Sequence, residues 1–511
     1  MKKTSCLGEF MRYTSLNVLG MIGLSCYILA DTFFIARGLG SDGLAALNIA
    51  IPAYSFMHGC GMMLGMGGAT KYSIFRGQKM EKQGNRIFTN TVYLVGIFAL
   101  IFAFLGLVFS GKITALLGAD RQIFRTTEIY LKTILLFAPA FMANDFLLCF
   151  VRNDGSPGLA MTAMLTGSFS NIILDYIFIF PMGMGMFGAA FATGLAPVIS
   201  IGVLSRHWIT RKNNFHFHPE KPDFRLTGTT FSLGIPSLIS ELASGIVIIV
   251  FNFIILGIRG NLGVAAYGVV TNISLVVTSM FTGIAQGMQP IASRSYGKGD
   301  TESTRQILRY AIVTLLGTAV VIYGIVFFLA SPITAVFNSE NDLQLQKIAE
   351  EGLKLYFLAV PFVGFNIVSA MFFTSTEQAL PAQLISLLRG LVVIIPTAFI
   401  MSAVLEMRGG GMAVLSGDRG YCSCVRSACA DKKQKKIWGS RLKDSGTLVR
   451  SIFQNISGLT VKLSADGIKG RKADCMHLSC FQVGKIHIGD ANPFCQLIQR
   501  NFPVCHNPVK S

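Results

Sequence analysis

The chain has 511 residues, of which 52% are hydrophobic and only 14% charged, with a mean hydropathy of +0.55; a soluble domain carries roughly a quarter charged residues. That composition excludes a water-soluble globular protein for most of the length. The net charge of +18 would suggest nucleic acid in a soluble chain, but here the basic residues sit in short loops between apolar runs and in a separate tail, so no nucleic-acid partner is expected.

A bilayer-crossing helix needs about 20 apolar residues. In chain order the sequence predicts eleven such helices, over 16–36, 44–70, 87–110, 129–151, 159–180, 186–205, 231–257, 262–288, 311–336, 355–376 and 381–405. Lys2, Lys3, Glu9 and Arg12 precede the first apolar run and no small-residue cleavage site follows it, so it reads as a retained helix. Residues of the first half recur about 220 positions later: Gly67 and Gly77 fall on Gly287 and Gly297, and Ile113-Thr114-Ala115 on Ile333-Thr334-Ala335. After a drift of two residues, Glu128, Lys132, Pro139 and Asn144 fall on Glu350, Lys354, Pro361 and Asn366. The expected architecture is an all-α polytopic membrane protein of two pseudo-symmetric six-helix bundles.

Residues 1–205 would form the first bundle, 206–228 a polar cytoplasmic linker, and 229–408 the second bundle. With the N-terminus inside, cytoplasmic loops collect Lys71, Arg76, Lys79, Arg86, Arg152, Arg211, Lys212, Arg294 and Lys298, whereas the other side keeps few basic residues, which supports that orientation. The repeat calls for a twelfth helix at about 408–427. Arg408, Asp418, Arg419 and Arg426 lie in that window, and central charges cost about 2.5–3.5 kcal/mol each, so the helix is expected to be lost. Residues 409–511 contain seven cysteines and no glutamate, and read as an irregular basic tail from a shifted reading frame. No C-x-x-C pair supports a zinc site there, and Lys432, Lys433, Lys435 and Lys436 read as a solvated run.

Ionisable residues inside a span are costly and tend to face protein or water. Four carboxyl residues qualify: Asp31, Asp145, Asp175 and Glu241. Asn171 and Asp175 are four residues apart, which places amide and carboxyl on one helical face. Such a pair could bind a proton or a small cation, and Thr193 could add a hydroxyl oxygen. The plainer reading makes Asp31 a cap, Thr193 a partner of its own helix backbone and Asn171 packing glue. Asp145 fits either a cavity or a helix end near Arg152.

The segments Asp31-Thr32-Phe33-Phe34-Ile35-Ala36, Arg152-Asn153-Asp154-Gly155-Ser156-Pro157, Asn171-x-x-x-Asp175, Gly188-Ala189-Ala190-x-Ala192-Thr193 and Gly234-Ile235-Pro236-Ser237, in this order, resemble the multidrug and toxic compound extrusion (MATE) family, and within it the bacterial DinF- and MepA-like branch. The resemblance covers residues 10–408. It implies two six-helix bundles around a central cleft in a bacterial inner membrane, exporting cationic or amphipathic compounds against inward flow of H⁺ or Na⁺. It assigns the cation-coupling site to Asp31, Asn171, Asp175 and Thr193, with Glu241 as an alternative cation site. No further cofactor and no metal centre are expected. Organic cations and membrane lipid are the expected partners of a monomer.

A lipid-precursor flippase of the same superfamily is the nearest alternative. Its cavity would want several arginines for a phosphate, and the predicted spans offer Arg389 alone. A nonfunctional remnant of a transporter gene is a third reading. No H-E-x-x-H, G-x-S-x-G or P-loop motif appears in the spans, so no enzyme is expected.

Overall fold

The computed structural model describes residues 6–337 and 342–405. The expected loss of a twelfth helix and the basic tail fall outside the described residues. The first half runs α1 (Cys6–Gly77), α2 (Glu81–Leu116), α3 (Phe124–Leu136), α4 (Ala138–Asn153), α5 (Pro157–Ile179) and α6 (Gly185–Leu204). A short turn, α7 (Arg206–Ile209), opens the linker. The second half follows as α8 (Phe224–Gly297), α9 (Thr301–Phe337), α10 (Leu343–Phe357), α11 (Val360–Ser375) and α12 (Ala379–Leu387), then a π-helical turn (Leu388–Val392) and α13 (Ile394–Leu405).

α1 and α8 are each two arms joined at one residue. Gly40 (φ 68°, ψ −159°) and Gly260 (φ 61°, ψ −151°) take a conformation open essentially to glycine alone. A Cβ on Gly43 would touch Ile35, eight residues back, where a continuous helix would separate them by roughly 12 Å, so the chain doubles back. Gly263 meets Ile255 in the same way. The repeat read in the sequence is thus repeated in backbone angles, 220 residues apart. With the arms of α1 and α8 taken separately and each bent pair below as one, the spans among the described residues match the eleven expected.

Two spans are bent pairs. α3 and α4 meet at 49° and α10 and α11 at 44°. Pro139 and Pro361 stand in the first turn after each break, where a missing N–H costs nothing but the ring forbids a straight continuation. Apolar run length predicts a tenth span from 355; the helix begins at Leu343, capped by Asp342. The piece before the bend carries Lys347, Glu350, Glu351 and Lys354, so hydropathy passes over it. α8 likewise begins at Phe224 rather than 231, because Asp223 accepts from the backbone of Arg225 and Leu226.

The halves cross where glycine lets backbones touch. A Cβ on Gly67 would lie 2.0 Å from the Thr230 carbonyl oxygen, and one on Gly234 2.0 Å from that of Met63. Gly287 crosses Thr14, and Gly77 meets Gly297. These crossings lie on the linker side of α1 and α8. The same side carries the ion pairs Arg294–Glu9 (2.5 Å) and Lys71–Glu377, each joining one half to the other.

Candidate functional site

The first half brings all four predicted coupling residues together, on the side away from the linker. The first arm of α1 lies against α5, since Gly20, Gly23 and Gly38 face Met164, Leu165 and Ile179. α5 lies against α6, where Gly167 faces Ala196 and Ser200. Asp31, Asn171, Asp175 and Thr193 are all buried within this packing. Asn171 Nδ2 donates to Thr193 Oγ1 at 3.4 Å, and Thr193 Oγ1 donates to the Ala189 carbonyl at 3.0 Å. The Asp31 and Asp175 carboxyls are within hydrogen-bonding reach of each other, and the Tyr130 hydroxyl of α3 is within reach of Thr193.

This cluster is rich in acceptors and poor in donors. Asp31 Oδ1, Asn171 Oδ1 and both carboxylate oxygens of Asp175 are buried without a hydrogen-bond partner. Buried polar atoms are nearly always satisfied, so a group of orphaned oxygens facing one another points to something that binds there. Two like charges about 4 Å apart repel by about 4 kcal/mol even at an effective dielectric of 20. No basic side chain acts on either carboxyl among the described residues. A proton or a hard monovalent cation meets the demand, because either supplies the positive charge that clustered oxygen donors lack.

Glu241 stands apart from this group. It lies on the first arm of α8, beside Gly59 of α1, at the boundary between the halves. Asp145 does not cap the end of α4: it sits in mid-helix, and its Oδ2 is 2.9 Å from His58 Nδ1. His58 belongs to no recognisable motif, and its one signal in the sequence is that it is the single histidine inside the predicted spans. Tyr27, Tyr54 and Tyr130 carry no signal in the sequence, since aromatic residues in a span are ordinary.

Arg152 requires a correction. Expected as a loop charge, it is 2% exposed in the last turn of α4. Its Nη1 donates to Asn17 Oδ1 (2.9 Å) and to Gln286 Oε1 (2.5 Å) of the other half. Beside it, Asn153 Nδ2 donates to Gln289 Oε1 at 3.0 Å, and Gln289 Nε2 to Thr70 Oγ1 at 3.0 Å. Neutral amides from both halves thus solvate a charge that sequence position alone assigned to water.

The MatE family model matches twice, over residues 18–177 and 236–400, one match to each half. The chain belongs to the MatE family. The multidrug export protein MepA of Staphylococcus saprophyticus is 24% identical over 410 residues, covering 80% of this chain and 90% of that protein. MepA of Staphylococcus aureus matches at the same identity and coverage. A solved outward-facing MATE transporter of the MOP superfamily superposes with a TM-score of 0.77 at 20% identity, over 83% of this chain and 98% of that one. A MOP superfamily transporter from Pyrococcus furiosus superposes at 0.75. This MatE chain therefore has the fold of those transporters, and its duplicated halves are the two halves of that fold.

Proposed function

We propose that this MatE chain is a multidrug efflux transporter that exports cationic or amphipathic small molecules in exchange for H⁺ or Na⁺. Membership of the family, and near full-length similarity to multidrug export proteins, support the efflux part. The coupling part rests on one observation: orphaned oxygens of Asp31, Asn171 and Asp175 converge in a buried cluster with no basic partner. An ion bound there neutralises the carboxyls, and its departure restores repulsion between α1 and α5. Binding and release therefore favour different spacings of the same helices, which is the differential affinity that coupling requires. The crossings between halves hold the linker side together. With the N-terminus in the cytoplasm of a bacterium, this arrangement is closed inward.

The test expresses the chain in cells stripped of their own pumps and follows ethidium accumulation while the proton and sodium gradients are collapsed separately. Extrusion should stop with one gradient, and Asp175→Asn should abolish it at unchanged expression. Extrusion that survives in both Asp31→Asn and Asp175→Asn moves coupling to Glu241.

A further inference from the structure

A second group of titratable side chains lies outside the cluster described above, at the seam between the halves. Helix packing creates it. The second arm of α1 reads His58-Gly59-Cys60-Gly61, and its glycines admit two neighbours: Gly61 faces Asp145 and Met142 of α4, and Gly59 faces Leu238 and Glu241 of α8. His58 is thereby paired with a carboxyl of its own half, and the residue next to it meets Glu241 of the other. His58 Nδ1 is 2.9 Å from Asp145 Oδ2, at ion-pair distance but off the line of a good hydrogen bond. Glu241 is the second carboxyl acting on the imidazole. Tyr54 stacks on His58 with planes 1° apart and centroids at 5.9 Å, and the Tyr27 hydroxyl is within reach of that of Tyr54. The Asp145 side chain is 6% exposed, whereas that of His58 keeps 21%, so the imidazole is the member open to an arriving molecule.

We infer that His58 and Asp145, with Glu241 across the seam, form a second exchange site, in which a proton on the imidazole and a monovalent organic cation beside the two carboxylates exclude one another. The charge arithmetic is balanced. An imidazolium with two carboxylates carries one net negative charge, and so does a neutral imidazole with two carboxylates and a bound organic cation. On exchange the N–H bond of the imidazolium breaks, its electron pair stays on the ring nitrogen, and the proton leaves to water. The ring of Tyr54 offers the cation an aromatic face. Around the imidazole the facing groups are Asp145 of α4, Glu241 of α8, and Tyr54 with Tyr27 of α1. Asp31, Asp175 and Asp145 all act on Tyr27, whereas Asp145 and Glu241 are the carboxyls that act on His58, so the two groups meet at Tyr27 but do not share the imidazole. Because the site is built from both halves, whatever occupies it also senses their separation.

This inference rests on the efflux reading, and its test separates the two. The purified full chain in lipid nanodiscs is titrated with tetraphenylphosphonium in weak buffer at pH 7, with binding and proton release recorded together. About one proton should be released per probe bound, and His58→Gln should bind the probe with that release lost. Asp145→Asn should weaken binding at least about tenfold. Release that persists in His58→Gln and vanishes in Asp175→Asn overturns the seam site and leaves the efflux reading standing. A wild-type chain that binds no probe overturns both. If the pair variants do not fold, Glu241→Gln decides, since it leaves His58 and Asp145 in place: tenfold weaker binding supports the site and unchanged binding overturns it.

Discussion

At the residue scale, Asp154 displays what a buried carboxylate needs. It sits at the turn after α4, 3% exposed. Its oxygens accept from the Tyr72 hydroxyl (2.6 Å), Arg76 Nη1 (3.0 Å) and both the backbone and side-chain amides of Asn214 (2.8 and 2.9 Å), with His207 Nε2 at 2.9 Å. Burial pushes its pKa up, but the hydrogen bonds from His207, Tyr72 and Asn214 outweigh this and hold it below the usual carboxylate range. A carboxyl with a depressed folded pKa contributes stability that is complete above its unfolded value, near 3.9, and is lost as pH falls through the folded value. The melting temperature in detergent should therefore stay level from pH 7 to about 5 and fall below about 4. Asp154→Asn should flatten part of that fall and cost about 2 kcal/mol at pH 7, read by chemical denaturation. Asp31 and Asp175 lack any such shell, and the contrast between a satisfied and an unsatisfied carboxyl sets off the cluster proposed for coupling. Much of that cluster was legible because Asn171 and Asp175 sit one turn apart on one helix. The His58–Asp145 pair was not, since it depends on which face of α1 meets α4, and helical periodicity carries no information about neighbours.

At the scale of elements, the duplicated turns show how much of each helix end is sequence and how much is backbone. Lys79 (φ 61°) occupies the position of Gly299 (φ 74°), and Glu377 (φ 58°) that of Gly155 (φ 99°). Glu377 thus holds a left-handed conformation that favours glycine, while its carboxylate reaches Lys71 across the seam. Glu377→Gly and Glu377→Ala both delete that pair, so the glycine variant should be more stable than the alanine variant by about 1 kcal/mol in denaturant melts. Equal stabilities would deny the strained turn. Gly67 tests the crossings: alanine would place its Cβ 2.0 Å from a carbonyl oxygen, so Gly67→Ala should cost about 1–3 kcal/mol. Spin labels on the two linker-side ends should then move apart. Element number and order followed from apolar run length and the 220-residue register. The bends at 137 and 358 and the polar half of the tenth span did not, because hydropathy reports the solvent around a helix and not its direction.

At the scale of the molecule, opposed bundles are joined on one side by Arg294–Glu9, Lys71–Glu377 and the amide network around Arg152. An exporter must part these contacts once per cycle. Glu9→Cys with Arg294→Cys, joined by a short bismaleimide, should therefore halt ethidium export, with each single variant retaining it after the same treatment. The segment between the bundles is no slack leash. The backbone amides of His216, His218 and Asp223 donate to Asn85, Thr89 and Asn90, Arg86 pairs with Glu220 and Asp223, and Asn214 holds Asp154. All those anchors belong to the leading bundle. The strap consequently travels with that bundle as ballast, and the first turn of the stiff new helix that follows is moored to it as well, through Asn90 and Thr227.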